Sequence, residues 1–289
     1  MEKWELSSGF GFCNVPMDDV DEYLRKNLAF HRELGFASVN FGYRVIDAMG
    51  ENMPTHIERA LQSSAETGVR FGVAHLPFVS QTVGLPDGDA FTKRMRRCID
   101  AFKMAGVDFA VVHPNSTTLA LTEYDPIKEY DNVMGHLAPF VEYGNKVGLS
   151  IVIENMRVVH RDCPVHRFGA GPEELCKIAD ELGIGICWDT GHAHITGLTQ
   201  SEALSYVGGR LKMLHLNDNF AGDDVHLVPF VGNVDWQDVV KGLLAVGFEG
   251  YLNFEVGFSK LTPKMRPLQG AMTAAAGREL QRMLDSASQ

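Results

Sequence analysis

Gly185-Ile-Cys-Trp-Asp-Thr-Gly-His-Ala-His194 is a short apolar run that stops abruptly at Asp189, with His192 three residues further on. It reads as a buried strand that delivers a carboxylate and an imidazole at its end. Four other stretches share this grammar: Asp108-Phe-Ala-Val-Val-His113, Ser150-Ile-Val-Ile-Glu154, Leu211-Lys-Met-Leu-His215 and Tyr251-Leu-Asn-Phe-Glu255. A parallel strand covered on both faces is apolar throughout. A potential metal ligand recurring at the C-terminal end therefore asks for one explanation, and a shared site is the simplest.

Outward from this run the chain alternates strand and helix. Strands are expected at Ser8–Cys13, Ala37–Phe41, Arg70–His75, a run ending at His113, Ser150–Glu154, Gly185–Asp189, Leu211–His215 and Tyr251–Glu255. The helices that follow them in turn are expected at Tyr23–Leu34, Pro54–Thr67, Ala90–Met104, Ile127–Val147, Pro172–Leu182, Ser201–Val207, Asp235–Val246 and Thr273–Leu284, by apolar periodicity and by start and stop signals. Leu76–Asp89, rich in Pro, Gly and Asp, reads as a loop. Alternating βα units imply a parallel sheet with right-handed crossovers. Eight of them imply closure into a single (β/α)8 TIM barrel spanning 1–289, with its site at the C-terminal rim. The competing architecture, an open doubly wound sheet, lacks support: Gly9-Phe-Gly11 is a lone GxG, better read as close packing at one end of the barrel.

The totals agree with a globular enzyme-sized domain. The chain has 289 residues, 45% of them hydrophobic, and a barrel of this length is commonly one domain. A net charge of −11 argues against a protein that coats phosphate backbones, so nucleic acid is not the expected partner. Five cysteines, Cys13, Cys98, Cys163, Cys176 and Cys187, form no CxxC pair or framework, which suits a reducing cytosol. No run reaches membrane-spanning length and the N-terminus has no signal-like apolar stretch. The expected setting is cytoplasmic, and a homo-oligomer is left open.

In a barrel, Glu154, Asp189, His215 and Glu255 converge from the ends of strands five to eight. Two or three carboxylates with one imidazole suit a divalent ion such as Mn²⁺, Co²⁺, Mg²⁺ or Zn²⁺. His75 and His113 come from strands three and four on the same face. His192 lies one helical turn from Asp189, and Asp224-Val-His226 places two ligand types on one side of an extended loop. The bland alternative is that a strand-end carboxylate caps the next helix and a strand-end histidine is a hydrogen-bonded rim residue. That alternative must be invoked separately for every strand from the third to the eighth. For His192, Asp224 and His226, orienting a neighbouring ligand is as good a reading as direct coordination. His31, His56 and His136 fall within helices and are expected to face solvent. The loop Arg157 to Gly171, with Arg157, Arg161 and Arg167, is locally basic and reads either as a lid over an anionic substrate or as a solvated loop.

Taken together, Ile153-Glu-Asn155, Trp188-Asp-Thr-Gly-His192, His215-Leu-Asn-Asp218, Asp224-Val-His226 with Gly232 and Asp235-Trp236 after it, and Phe254-Glu255 resemble the xylose-isomerase-like barrel superfamily. That group contains sugar and sugar-phosphate isomerases and epimerases, and also endonuclease IV. The resemblance implies that Glu154, Asp189, His215 and Glu255 hold one divalent ion, as their counterparts do in epimerase-type members. It implies a small carbohydrate or sugar-phosphate substrate and proton transfer through an enediolate, with Glu154 and Glu255 as the acid–base pair and His192 on a substrate oxygen. Endonuclease-type members use nine ligands for three ions, and His75, His113, Glu154, Asp189, His192, His215, Asp224, His226 and Glu255 supply all nine residue types. An endonuclease IV-like multi-zinc phosphodiesterase is therefore the alternative, with a dehydratase on the same metal–enolate chemistry a third reading. His160 stands where the epimerase subgroup often has a further Glu, six residues after Glu154.

Overall fold

The computed structural model describes residues 3–13, 15–78, 88–114, 124–160, 163–164, 166–257 and 261–288. Its eight barrel strands are β1 (Trp4–Gly9), β2 (Ser38–Gly42), β3 (Arg70–His75), β4 (Phe109–Val112), β5 (Ser150–Glu154), β6 (Gly185–Asp189), β7 (Leu211–His215) and β8 (Gly250–Phe254). All neighbours pair in parallel, in the order β8-β1-β2-β3-β4-β5-β6-β7. Just beyond β7 the ring closes onto β8: Leu216 N–H donates to Asn253 O at 2.8 Å, and Glu255 N–H donates to Leu216 O at 3.1 Å. Eight parallel strands with helices around them make the expected (β/α)8 barrel.

Side-chain alternation explains where the ligands point. Val73, Val111, Val152, Cys187, Met213 and Tyr251 form the small apolar cluster that fills the barrel interior. Residues two apart on a strand share a face. His75, His113, Glu154, Asp189 and His215 each lie two residues after one of these interior residues, and Glu255 lies four after Tyr251. The intervening Ala74, Val112, Ile153, Trp188, Leu214 and Phe254 face outward into the larger core between barrel and helices. One apolar plug thus fixes one polar layer above it.

Helix ends follow sequence chemistry. Asp19 caps Val20–Leu34 and Asp125 caps Pro126–Val147, while Gly35, Gly148 and Gly183 end their helices in the left-handed conformation that glycine alone adopts freely. Two short helices lie within stretches read as connections, Tyr43–Ala48 and Thr190–Ile195. The Arg157 loop contains a two-residue antiparallel pair, Val159–His160 with Cys163–Pro164.

Three expectations are corrected. The first strand is Trp4–Gly9, not Ser8–Cys13: Trp4 already pairs with Gly250, whereas the backbone N–H groups of Gly11 and Cys13 are met by Asn27 Oδ1 at 3.3 and 3.2 Å instead of by a strand. Gly9 is not a packing glycine, since a side chain there would meet nothing within 4 Å. His31 does not face solvent. It lies on the buried face of its helix with Leu24, Asn27 and Leu28, ringed by Phe10, Phe12 and Phe36, with Nδ1 2.7 Å from Asn27 O. His56 is half-buried with Nδ1 2.6 Å from Asp21 Oδ1, and His136 is half-buried beside Phe91 and Phe140.

Burial pushes the His31 imidazole down to about 4, against the pull of the Asn27 and Gly9 carbonyls. An unfolded chain binds this proton near pH 6.5 and the folded chain resists it, so stability is lost as pH falls through that window. His31→Gln removes the titration. Relative to wild type, it is expected to be less destabilised at pH 5 than at pH 7 by about 2 kcal/mol in urea unfolding; a pH-independent difference would contradict a neutral buried ring.

Candidate metal centre

At the C-terminal rim the nine residues fall into three groups whose ligand atoms lie within 4.8 Å of one another: His75, His113 and Glu154; Glu154, Asp189, His215 and Glu255; and His192, Asp224 and His226. Glu154 belongs to two of them. Its Oε1 stands 3.0 Å from His215 Nδ1 and its Oε2 3.1 Å from His113 Nε2 and 3.6 Å from His75 Nε2. His215 Nδ1 also faces Glu255 Oε2 at 3.1 Å. Ligands about 2.1 Å from a shared ion stand about 3.0–3.4 Å apart, so these spacings fit ion coordination.

The charge balance points the same way. Glu154 and Asp189 are fully buried, yet neither oxygen of Glu154 nor Nδ1 of His215 makes a well-aligned hydrogen bond among the described residues. A buried charge left this way is costly unless it meets an opposite charge or a metal. Burial opposes ionisation of Glu154, but His215 and His113 override it and hold the carboxyl well below its usual range. Burial likewise opposes charging His215, but Cys187, Glu255 and Glu154 drive it well above. Burial pushes Asp189 up to about 6, with Glu154 and Glu255 adding to the rise against the pull of His192. These groups seek positive charge, which a divalent ion supplies. With nitrogen and carboxylate donors only, Mn²⁺, Co²⁺, Mg²⁺ and Zn²⁺ fit the donor set.

The histidines are oriented from behind. Nδ1 of His75, His192 and His226 lies 2.7, 2.8 and 2.9 Å from the backbone carbonyls of Leu76, Asn155 and Glu255. Each carbonyl accepts an Nδ1–H and turns Nε2 inward, the orientation in which a histidine offers Nε2 to a metal ion. His226 sits at φ 48°, a left-handed conformation unusual for a residue with a side chain. Asp224-Val-His226 is therefore not extended, although Asp224 Oδ1 still meets His226 Nε2 at 3.2 Å.

Asp189, one of the four residues that could hold an ion, also acts as a helix cap. Its Oδ1 caps the Thr190–Ile195 helix by accepting from His192 N at 2.6 Å, and Oδ2 accepts from Asn217 Nδ2 at 2.7 Å. Asn155 grips the Asp189 peptide from β5, with Oδ1 accepting from Asp189 N at 2.6 Å and Nδ2 donating to Asp189 O at 3.0 Å. Asp218 pins the following loop by accepting from Val234 N and Trp236 Nε1, both at 3.0 Å. Asn155, Asn217 and Asp218 stand within the motifs singled out in the sequence, but their positioning roles depend on contacts between strands. Asn219, whose Nδ2 donates to Gly191 O at 3.0 Å, carried no sequence signal.

Of the loop arginines, Arg157 turns into the site and Arg167 is buried; Arg161 lies outside the described residues, as does the side chain of His160. A cleft of about 350 Å³ opens on the β1–β3 side of the centre, lined by Phe10, Asn40, Tyr43, His75, Phe78 and Glu255 among others. The Glu255 side chain is 30% exposed, against 1% for Glu154, so Glu255 meets the cleft while Glu154 lies beneath.

The family model described as xylose isomerase-like TIM barrel matches residues 28–282. An uncharacterized protein of Methanocaldococcus jannaschii is 31% identical over 156 residues, covering 51% of this chain and 50% of that protein. The chain spans half or less of the length of the relatives it matches at this level. A D-tagatose 3-epimerase-like protein of known structure superposes with a TM-score of 0.74 at 18% identity, covering 99% of this chain and 100% of that one. A xylose isomerase domain protein from Alicyclobacillus acidocaldarius gives 0.74 at 15% identity, with the same coverage. Among the described residues, no helix is long and apolar enough to cross a membrane.

A Cβ on Gly191 would stand 1.9 Å from Asn217 Oδ1, so glycine is what lets Asn217 reach Asp189. Gly191→Ala is expected to weaken Mn²⁺ binding by roughly 10- to 100-fold with the circular dichroism spectrum retained; undiminished affinity would show that Asn217 does not position a ligand.

Proposed function

The chain belongs to the xylose isomerase-like TIM barrel family, and from that premise we propose that it is a divalent-metal-dependent sugar or sugar-phosphate isomerase or epimerase. The observation that carries this reading is the group Glu154, Asp189, His215 and Glu255, in which Glu255 alone is presented to the cleft. A divalent ion held there supplies positive charge to adjacent carbonyl and hydroxyl oxygens of a sugar as negative charge develops on them.

The residues of the chain do the rest. Abstraction of a proton from carbon next to a carbonyl needs a base within reach, and the exposed Glu255 carboxylate offers one. Burial opposes its ionisation, but His215 and His226 outweigh burial and hold it down to about 2, so it is ionised at neutral pH. Glu154, whose Oε1 shares His215 Nδ1 with Glu255 Oε2, is the second carboxylate of the proposed pair, returning or removing the proton on the other face of the substrate. Asp189 and His215 chiefly hold the ion. His192, expected on a substrate oxygen, is buried with Nδ1 on the Asn155 carbonyl and Nε2 beside Arg157 and Asp224, so it orders the neighbouring group instead of meeting substrate. The rings of Phe10, Tyr43 and Phe78 suit the C–H faces of a sugar, while Asn40, His75 and Glu255 offer polar contacts for its hydroxyls. Solved structures named as a D-tagatose 3-epimerase-like protein and an L-ribulose 3-epimerase share this fold.

A second reading, a multi-metal phosphodiesterase, is favoured by one observation: nine ligand residues in three groups joined through Glu154. Several cations suit phosphodiester cleavage because they activate water and stabilise both the attacking and leaving oxygens.

With Mn²⁺ or Co²⁺ supplied, a panel of ketoses, sugar phosphates and cyclitol ketones is expected to include a compound that takes up solvent deuterium at the carbon next to its carbonyl. Glu154→Gln is expected to abolish that uptake with the fold retained. Exchange undiminished in the variant would remove the base assignment. Three tightly bound zinc ions together with nicking of abasic DNA would replace the isomerase reading by the second one.

A further inference from the structure

The three ligand groups are not equivalent. In the third, the Arg157 guanidinium stands among the ligand atoms: Nη1 donates to Asp224 Oδ2 at 2.8 Å and lies 3.1 Å from His192 Nε2, with those two ligand atoms 3.4 Å apart. Nε2 is the nitrogen of His192 that faces this group, because Nδ1 donates to the Asn155 carbonyl. The guanidinium N–H groups therefore meet the same carboxylate oxygen and the same imidazole nitrogen that a divalent ion would take. Arg157 is held in place by short chain: it follows Glu154 by three residues, and its side chain is only 20% exposed. Arg167, itself buried, adds a second guanidinium close enough to feel both Arg157 and Asp224. Among the described residues, neither of the other two groups has an arginine or lysine among its ion pairs: there Glu154 and Glu255 face imidazoles.

We propose that Arg157 is the resident cation of the His192–Asp224–His226 group, filling it from within the chain so that it takes no metal ion and the protein holds at most two divalent ions, in the groups joined through Glu154. Guanidinium serves this role because it is permanently charged and its planar N–H fork engages a carboxylate oxygen and a neighbouring acceptor together. The inference concerns ion capacity alone. Its failure would leave the assignment of Glu154, Asp189, His215 and Glu255 standing.

The test is native mass spectrometry of the whole chain titrated with Co²⁺, for wild type, Arg157→Met, His226→Ala and the double variant. Wild type is expected to carry no more than two ions, and His226→Ala to leave that number unchanged. Arg157→Met is expected to gain one ion, which the double variant loses again. Three ions on wild type, or one fewer on His226→Ala than on wild type, would overturn the proposal. So would a folded Arg157→Met with the wild-type count. If Arg157→Met does not fold, the comparison of wild type with His226→Ala decides by itself.

Discussion

Mutual repulsion among buried carboxylates is the constraint on which this structure depends. Glu154, Asp189, Asp224 and Glu255 meet at one rim of the barrel, and the first two are wholly removed from water. Carboxylates gathered this closely do not stay ionised without compensating positive charge. Imidazoles supply part of it, as the lowered acidity range of Glu154 and the raised one of His215 show. Arg157 supplies more at Asp224. The remainder is what a divalent cation would bring, and the ligand spacing fits one.

The barrel explains why such a costly assembly holds together. Interior residues Val73, Val111, Val152, Cys187 and Met213 fix the strand phase, so residues two positions later project onto the axis. The polar layer is then tied across strands: Asn155 bridges β5 to Asp189, and Asn217 links the stretch after β7 to Asp189 and Thr190. Glu154, Asp189 and Glu255 are pre-positioned by the ends of their strands, His192 by the short helix Thr190–Ile195, and the loop after β7 adds Asp224 and His226. Rigid placement of this kind is what lets a site meet an ion or a transition state without reorganising.

Most of the scaffold was legible in the sequence because buried parallel strands have an unmistakable composition. The bounds of β3, β5, β6 and β7 and of the helix Pro172–Leu182 agree with the sequence reading. β1 was displaced because Trp4-Glu-Leu-Ser-Ser-Gly9 mixes polar residues into a strand, while Phe10 and Phe12 imitate one. His31 was misplaced because a polar residue on a helix defaults to solvent; here backbone carbonyls satisfy it in the core. Six of the candidate ligands were legible as polar ends of apolar runs and His192, Asp224 and His226 by their spacing, and the nine fall into three groups. Arg157 was legible only as charge in a basic loop. Its direction, inward onto Asp224 and His192, depends on the path of the chain after β5, which no local pattern encodes.

The most direct test of the central claim is anomalous diffraction from crystals of the chain soaked in Mn²⁺, recorded at the manganese edge. The account predicts a peak at bonding distance from Glu154, Asp189, His215 and Glu255 together. Manganese bound elsewhere with no peak among these four side chains would contradict it.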